Sequence, residues 1–410
     1  MASVPGPAPA AQPTNAAPLA GLSAYAQGLG LERHLSRAKR GVGTLALSLL
    51  WLALAWRGTG RPHRLGLLEE PLLAALLGLP VLPSAQTLHR SRAYFSARAL
   101  RAAVEAAYAA ELGRRAGRVW AAPDAHQVPY WGRGQLGRFR KGWSGTRSRR
   151  PRGYRLFLAV DTATGQVITF VLARGRTRDA RMLALLARRV RAVLGRRLAG
   201  VVADCGSTGR ASGAALTASG VPFLLGFARS APGRARLAAL SPPRRRWLRA
   251  GGAVRLGACP WDARLRLFAL GARSPTDKRG PWVHVTSLRA AGPQALARTY
   301  RQRWRVEQAI EELRNGHDLD HLVSCRLHPN RVAVGFRLLA RNLAIAHQIA
   351  AAGGRPGTIR EPAAFRAAHV EGLGTFAHAR RTLRLTPHRR PGAPQTYRLP
   401  WARLTVRLAA

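Results

Sequence analysis

Lysine is almost missing from this chain: of 67 basic residues only Lys39, Lys141 and Lys278 are lysine. Carboxylates are also scarce, with 18 acidic residues against those 67, which leaves a formal charge of +49. The preference for arginine, beside abundant Ala, Gly and Pro, follows GC-rich coding and carries no functional information. The deficit of carboxylates does, because base composition alone does not remove them. A field this positive is far beyond what solubility needs. It points to a polyanionic partner, with nucleic acid ahead of an anionic membrane surface.

Cysteine is nearly absent too. Cys205, Cys259 and Cys325 are an odd number, widely spaced and without a CxxC pair. That excludes a disulfide framework and a cysteine zinc site, and a reducing cytoplasm is expected. No long hydrophobic run exists. The longest, Thr44–Trp56, is stopped by Arg57 well short of the roughly 20 residues a membrane span needs. It is expected to be a buried helix, with no membrane association. A charged segment followed by an apolar core is lacking at the N-terminus, so no secretory signal is expected.

What is present reads as a large core with satellite modules. Residues 1–20 are Ala- and Pro-rich without periodicity and are expected to form a disordered tail. Residues 21–115 read as a helical DNA-binding module. Within it Ser84 is placed to cap a helix whose apolar face runs through Leu88, Tyr94 or Phe95, Leu100, Val104 and Tyr108. The basic side chains beside that face equally fit an ordinary solvated surface.

From residue 118 the texture changes. The segment 118–132, "RVWAAPDAHQVPYWG", reads as a short strand and a loop, and a Gly- and Arg-rich loop covers 133–152. Two apolar runs around "DTATG" then read as a β-hairpin. A helix over 179–196, the strand "AGVVAD" ending at Asp204, a short helix and the strand "VPFLLGF" follow. This is a mixed α/β layer pattern. Residues 230–290 read as β-rich, a long helix starts near 294, and more helix covers 329–351. The expected catalytic domain is therefore 116–229 with 291–351, interrupted by a β-rich insertion at 230–290. A basic C-terminal region occupies 352–410.

Only eight residues are Asp. Asp124 and Asp204 each lie at or just past the end of an apolar β-like run, where a sheet presents side chains to a crevice. Glu307 lies on the helix after the β-rich segment. Three carboxylates brought together repel one another unless divalent cations neutralise them. Hard oxygen ligands suit Mg²⁺ or Mn²⁺, and a pair of such ions suits phosphodiester displacement. At about 100° per residue, Tyr300, Arg303, Glu307 and Arg314 fall within a roughly 60° arc of one helix face. That stripe suits a metal beside a phosphate backbone. The spacing alone equally fits a solvated face with an Arg303–Glu307 ion pair.

Tyr300-x2-Arg303-x3-Glu307-x6-Arg314 resembles the Tyr-Arg-Glu-Lys signature of insertion-sequence transposases with an Asp-Asp-Glu triad. "VVADCGSTGRASGAALTASGVPFLL" resembles that family's second catalytic segment, and "VWAAPDAHQVPYWGR" with "GYRLFLAVDTATGQ" its first. The resemblance covers about 84–346. Two positions depart from it: Arg314 stands in place of Lys, and Cys-Gly-Ser follows Asp204 where the family more often has Arg-Gly and an aromatic residue.

The resemblance implies a ribonuclease-H-like mixed sheet with flanking helices and a β-rich insertion. The spacing of 103 residues from Asp204 to Glu307 leaves room for one. It implies DNA cleavage at element ends and strand transfer, by Asp124, Asp204 and Glu307 holding two Mg²⁺ or Mn²⁺ ions. Tyr300, Arg303 and Arg314 are the implied DNA contacts. Double-stranded DNA is the implied partner, a homodimer the implied synaptic form, and the bacterial cytoplasm and nucleoid the implied setting. Trp247, Trp261 and Trp282 lie in the insertion, where the family has an aromatic that holds a flipped base; a packing role is the commoner fate of a tryptophan. His126 is expected to be structural or to face a phosphate. Asp161 also sits at a strand end, yet it opens a hairpin turn, where Asp is favoured for turn geometry. In a ribonuclease-H-like sheet the first carboxylate precedes that hairpin, as Asp124 does. The competing reading keeps the fold without the chemistry: an inactive or domesticated DNA-binding protein. Another nuclease on the same fold, such as a junction resolvase, leaves the Tyr-Arg-Glu pattern and the long insertion unexplained.

Overall fold

The computed structural model describes residues 11–14, 26, 43–59, 61, 64, 71–77, 79–131, 140–141, 152–175, 177–204, 209–227, 231–271, 281–288, 290–352, 359–371, 374–379, 382–387, 395–399 and 404–408. Two packing units divide the chain, Met1–Arg114 with Glu311–Ala410, and Arg115–Ile310. The helix Trp304–Gly316 contains the boundary.

In the first unit the apolar run Thr44–Trp56 is one helix, buried at every position except Leu45. Such an all-round apolar helix has no polar face to offer water, so it sits in the centre of a helical cluster. Trp51 stacks on Phe336 of the helix Leu327–Ala351 at 5.9 Å, and Phe95 meets the same ring edge-on at 5.0 Å. The indole N–H groups are satisfied: Trp51 donates to Ser91 Oγ at 3.1 Å and Trp56 to the Ala340 carbonyl at 2.9 Å. Among the described residues no helix is long and apolar enough to cross a membrane.

The helix expected after Ser84 is two helices, Ala85–Ser91 and Ala97–Leu112. Each has its own serine cap, Ser84 Oγ accepting the Thr87 N–H and Ser96 Oγ the Ala99 N–H. The break turns Phe95 inward and leaves Tyr94 exposed. A five-stranded sheet completes the unit, in the order Gln12–Thr14, Gly374–Ala379, Thr382–Pro387, Leu404–Leu408, Gln395–Leu399. Part of the segment read as a tail is thus a strand, paired antiparallel with Gly374–Phe376. The rest of 1–20, apart from Ala11, lies outside the described residues.

The second unit is built on a nine-stranded sheet. Its strands are β1 (Val119–Pro129), β2 (Arg140–Lys141), β3 (Arg152–Asp161), β4 (Val167–Arg174), β5 (Leu198–Ala203), β6 (Phe223–Gly226), β7 (Ala253–Cys259), β8 (Asp262–Leu270) and β9 (Trp282–Thr286). The order is β2-β3-β1-β5-β6-β9-β8-β7, with β4 on β3. The antiparallel set β4-β3-β1 followed by parallel β5 and β6 makes the sheet ribonuclease-H-like. Residues Leu156–Val160 of β3 are buried on both faces, as their continuous apolar run requires. The helix Asp179–Leu194 covers one face, setting Met182 and Leu186 on Phe157. The segment 230–290 opens with helices Ala231–Ala238 and Pro242–Arg249, and its three strands continue the same sheet beyond β6.

β1 is longer than its sequence suggests. Pro123 and Pro129 argue against a central strand, yet pairing with β3 continues from Ala121 to Pro129. The Trp120 carbonyl accepts from Thr162 N–H and Tyr130 N–H donates to Arg152 O, so even-numbered backbone groups face β3. Odd-numbered groups, both prolines included, face β5. That ladder ends at Ala121, so the missing proline N–H groups forfeit no hydrogen bond. Gly200 lets the two strands pair closely where they do, since a Cβ there would come within 2.6 Å of the Trp120 ring.

Candidate active site

β1 and β5 run parallel, and their last register pair is Ala121 with Val201. Beyond it no described strand pairs with β1 on that side, and β5 ends at Ala203. Asp124 lies three residues past Ala121, and Asp204 three past Val201. Contrary to the sequence reading, Asp124 is mid-strand and not at a strand end; what ends near it is the neighbouring ladder. The Ala125 N–H, facing the gap, is taken by Asp124 Oδ1 at 2.7 Å. Residues 205–208, with the Cys-Gly-Ser departure noted above, lie outside the described residues.

Glu307 belongs to the first turn of the helix Trp304–Gly316 and is exposed. The continuous helix expected from 294 is instead two, Pro293–Arg301 and Trp304–Gly316. Tyr300 is on the first and Arg303 in the break, so these four residues do not form a single-helix stripe. The turn is closed by short-range bonds, Arg303 N–H to Tyr300 O at 3.0 Å and Val306 N–H to Arg303 O at 3.1 Å. Arg303 nevertheless donates to the Glu307 carboxylate and lies 5.9 Å from the Tyr300 ring centre. Arg314 pairs with Asp320 at 3.1 Å, within the first unit.

Electrostatics tie the three carboxylates together. Burial raises the Asp124 carboxyl to about 7, and the negative charges of Asp204 and Glu307 push in the same direction; the Ala125 N–H and Arg303 oppose them. Burial disfavours the Arg303 charge, but Glu307, Tyr300 and Asp124 outweigh it and hold the guanidinium firmly protonated. The side chains share one electrostatic neighbourhood without being closed around a point. Among the described residues no three His, Cys, Asp or Glu side chains are grouped tightly enough to enclose an ion.

Asp161 stands apart. It is buried, pairs with Arg115 at 2.7 Å, and accepts the Ala163 N–H at 2.8 Å to shape the hairpin turn. His126 is buried. Of the three tryptophans, Trp261 stacks on Phe227 at 4.5 Å, Trp282 is partly buried on β9, and Trp247 is half-exposed.

Two residues near the site carried no signal in the sequence. Asp179 opens the helix Asp179–Leu194 and pairs with Arg155 at 2.8 Å. Burial raises its carboxyl, Arg155 opposes, and the charge of Asp204 adds to the rise. His284, on β9, is buried against Phe268 and Tyr300. Its neighbours Val283 and Val285 give the stretch the look of plain core strand.

Residues 121–343, more than half of the chain, match the family model described as the transposase DDE domain. The chain belongs to that family, and its function is that of a DNA transposase. It is also similar to a piggyBac transposase in a synaptic complex with hairpin DNA. That likeness has 11% identity over 85% of this chain and 75% of that one, with a TM-score of 0.45. No curated protein matches the chain.

Proposed function

We propose that Asp124, Asp204 and Glu307 are the catalytic carboxylates of a metal-dependent transposase that cleaves DNA at element ends and transfers the freed strand to a target. The observation that carries this reading is the equal offset of Asp124 and Asp204 from one register pair, with Glu307 in electrostatic reach. The donors are oxygens only, and the rise of Asp124 marks an excess of negative charge that a cation would relieve. They suit Mg²⁺ or Mn²⁺, two ions being the expected number. When bound, such ions activate the attacking oxygen and stabilise the leaving one.

The chain's own residues supply the rest. Arg303 holds Glu307 and is placed to exchange that contact for a phosphate oxygen of the DNA, a partner guanidinium groups bind well. Tyr300 steadies the guanidinium from below. With Arg314 at the final position, these residues form the Tyr-Arg-Glu-Lys signature, Arg preserving the charge of Lys. Residues 21–115 would serve as a DNA-binding module and 352–410 as a basic C-terminal region. The catalytic domain would be 116–229 with 291–351, and 230–290 its insertion. The DNA is double-stranded, bound by a homodimer at the synapse, in the bacterial cytoplasm.

The test is Mg²⁺-dependent cleavage of a duplex copied from the DNA that flanks the gene. Asp124→Asn, Asp204→Asn and Glu307→Gln should each abolish cleavage and leave duplex binding intact, since none removes an arginine. Cleavage at the wild-type rate by any of the three would reject that residue's role.

A further inference from the structure

On β9, Val283 and Val285 face one side of the sheet and His284 the other, and all three are buried. The imidazole is 1% exposed. Burying its ring nitrogens costs desolvation free energy that leucine or phenylalanine would not incur. An aliphatic side chain would fill the same space at lower cost.

The surroundings favour a planar ring. The ring stacks on Phe268 at 5.0 Å and meets the Tyr300 ring at 4.0 Å with an interplanar angle of 66°. Tyr300 lies 5.9 Å from the Arg303 guanidinium, and Arg303 donates to Glu307. The four side chains form a contiguous column, from a fully buried anchor to a carboxylate that is 58% exposed. Its outer members, Arg303 and Glu307, are partly open to solvent.

We propose that His284 is a positioning residue for cleavage: it fixes the Tyr300 ring and, through it, the Arg303 guanidinium beside Glu307. This rests on the reading of Glu307 as a catalytic carboxylate. The imidazole does this in its neutral form, because burial and then the nearby Arg303 charge, against a hydrogen bond to the Trp282 backbone, lower its pKa to about 3. A protonated ring would repel the guanidinium it serves to place.

Single-turnover cleavage by the full chain, on prebound duplex copied from the flanking DNA, tests this. His284→Leu keeps apolar bulk and removes the ring. It should slow cleavage about 10- to 100-fold, the scale on which small displacements act, with duplex Kd changed less than about twofold. His284→Phe restores a ring and should recover the rate to within about threefold. Adding His284→Leu to Arg303→Ala should slow cleavage no further, whereas general loosening of the sheet would multiply the two losses. A wild-type rate for His284→Leu, no recovery with Phe, or multiplied losses would each overturn the proposal. Should His284→Leu fail to fold, Tyr300→Leu breaks the same contact from its outer side, and a wild-type rate there is equally fatal. Glu307→Gln separates the two ideas. If it cleaves normally, the underlying reading fails and takes this one with it. If it is inactive while His284→Leu is normal, only the role of His284 is lost.

Discussion

Asp124 and Asp204 lie the same distance, three residues, past the register pair Ala121–Val201 on strands that run in one direction. At about 3.3 Å per residue both reach roughly 10 Å beyond the last ladder contact. Among the described residues no ladder pairing joins the two strands there, so both carboxylates flank an unpaired stretch.

One consequence is a pH signature. The Asp124 carboxyl is raised from 3.8 to about 7, chiefly by burial and then by Asp204. Below the unfolded value the group is protonated in both states and contributes nothing. Between the two values the folded protein keeps a proton the unfolded chain has lost, so stability falls as pH rises and the loss is complete above the folded value. The whole effect is on the order of 4 kcal/mol. In metal-free buffer the unfolding free energy of Asp124→Asn should gain on wild type between pH 5 and pH 8. Parallel pH profiles for the two proteins would refute the raised carboxyl.

The hairpin was legible because two apolar runs enclose a turn whose Gly165 takes a φ of 73°, which glycine adopts freely. β1 was not, since whether a proline breaks a strand depends on which neighbour its nitrogen faces. That parity is fixed by tertiary pairing. The break at Gln302–Arg303 was hidden as well: no Gly or Pro marks it, and a helical wheel carried across it placed Tyr300 and Arg303 on the wrong element. His284 was masked by the valines around it. The identities of Asp124, Asp204 and Glu307 came from spacing and resemblance, and their electrostatic coupling became visible only with the sheet.

Asp161 gives a contrast to Asp124. Its carboxylate is 1% exposed and holds Arg115, itself 12% exposed, so Asp161→Asn breaks a buried ion pair. The cost should be about 3 kcal/mol in unfolding free energy. Cleavage should stay measurable at a temperature where the variant is folded. Loss of cleavage by a stable Asp161→Asn would move the first catalytic aspartate from Asp124 to the hairpin.

The charge of +49 makes a prediction of its own. Binding that neutralises many phosphates releases as many counterions, so duplex affinity should drop by orders of magnitude between about 50 and 200 mM salt. Fluorescence anisotropy across that range measures the slope. A flat profile would remove the argument that the excess of positive charge serves DNA binding.

Glu307 has a neighbour that could be mistaken for it. Glu311 is one turn further along the same helix, about 40° away around its axis, and is also exposed. Only Glu307 receives Arg303 and adds its charge to the field at Asp124. Glu307→Gln should therefore abolish Mg²⁺-dependent cleavage, while Glu311→Gln should stay within about threefold of wild type, the spread expected for a surface change outside the site. Arg303→Ala should slow cleavage without unfolding the protein, because its guanidinium spans the exposed end of the column. Arg314→Ala is the discriminating partner experiment. Its pair with Asp320 means a stability cost of about 1 to 3 kcal/mol whatever else it does. If duplex affinity falls as well, Arg314 grips a phosphate as the signature requires. If only stability falls, the last position of the signature in this chain is a structural ion pair, and Arg303 is left as its one phosphate-gripping arginine.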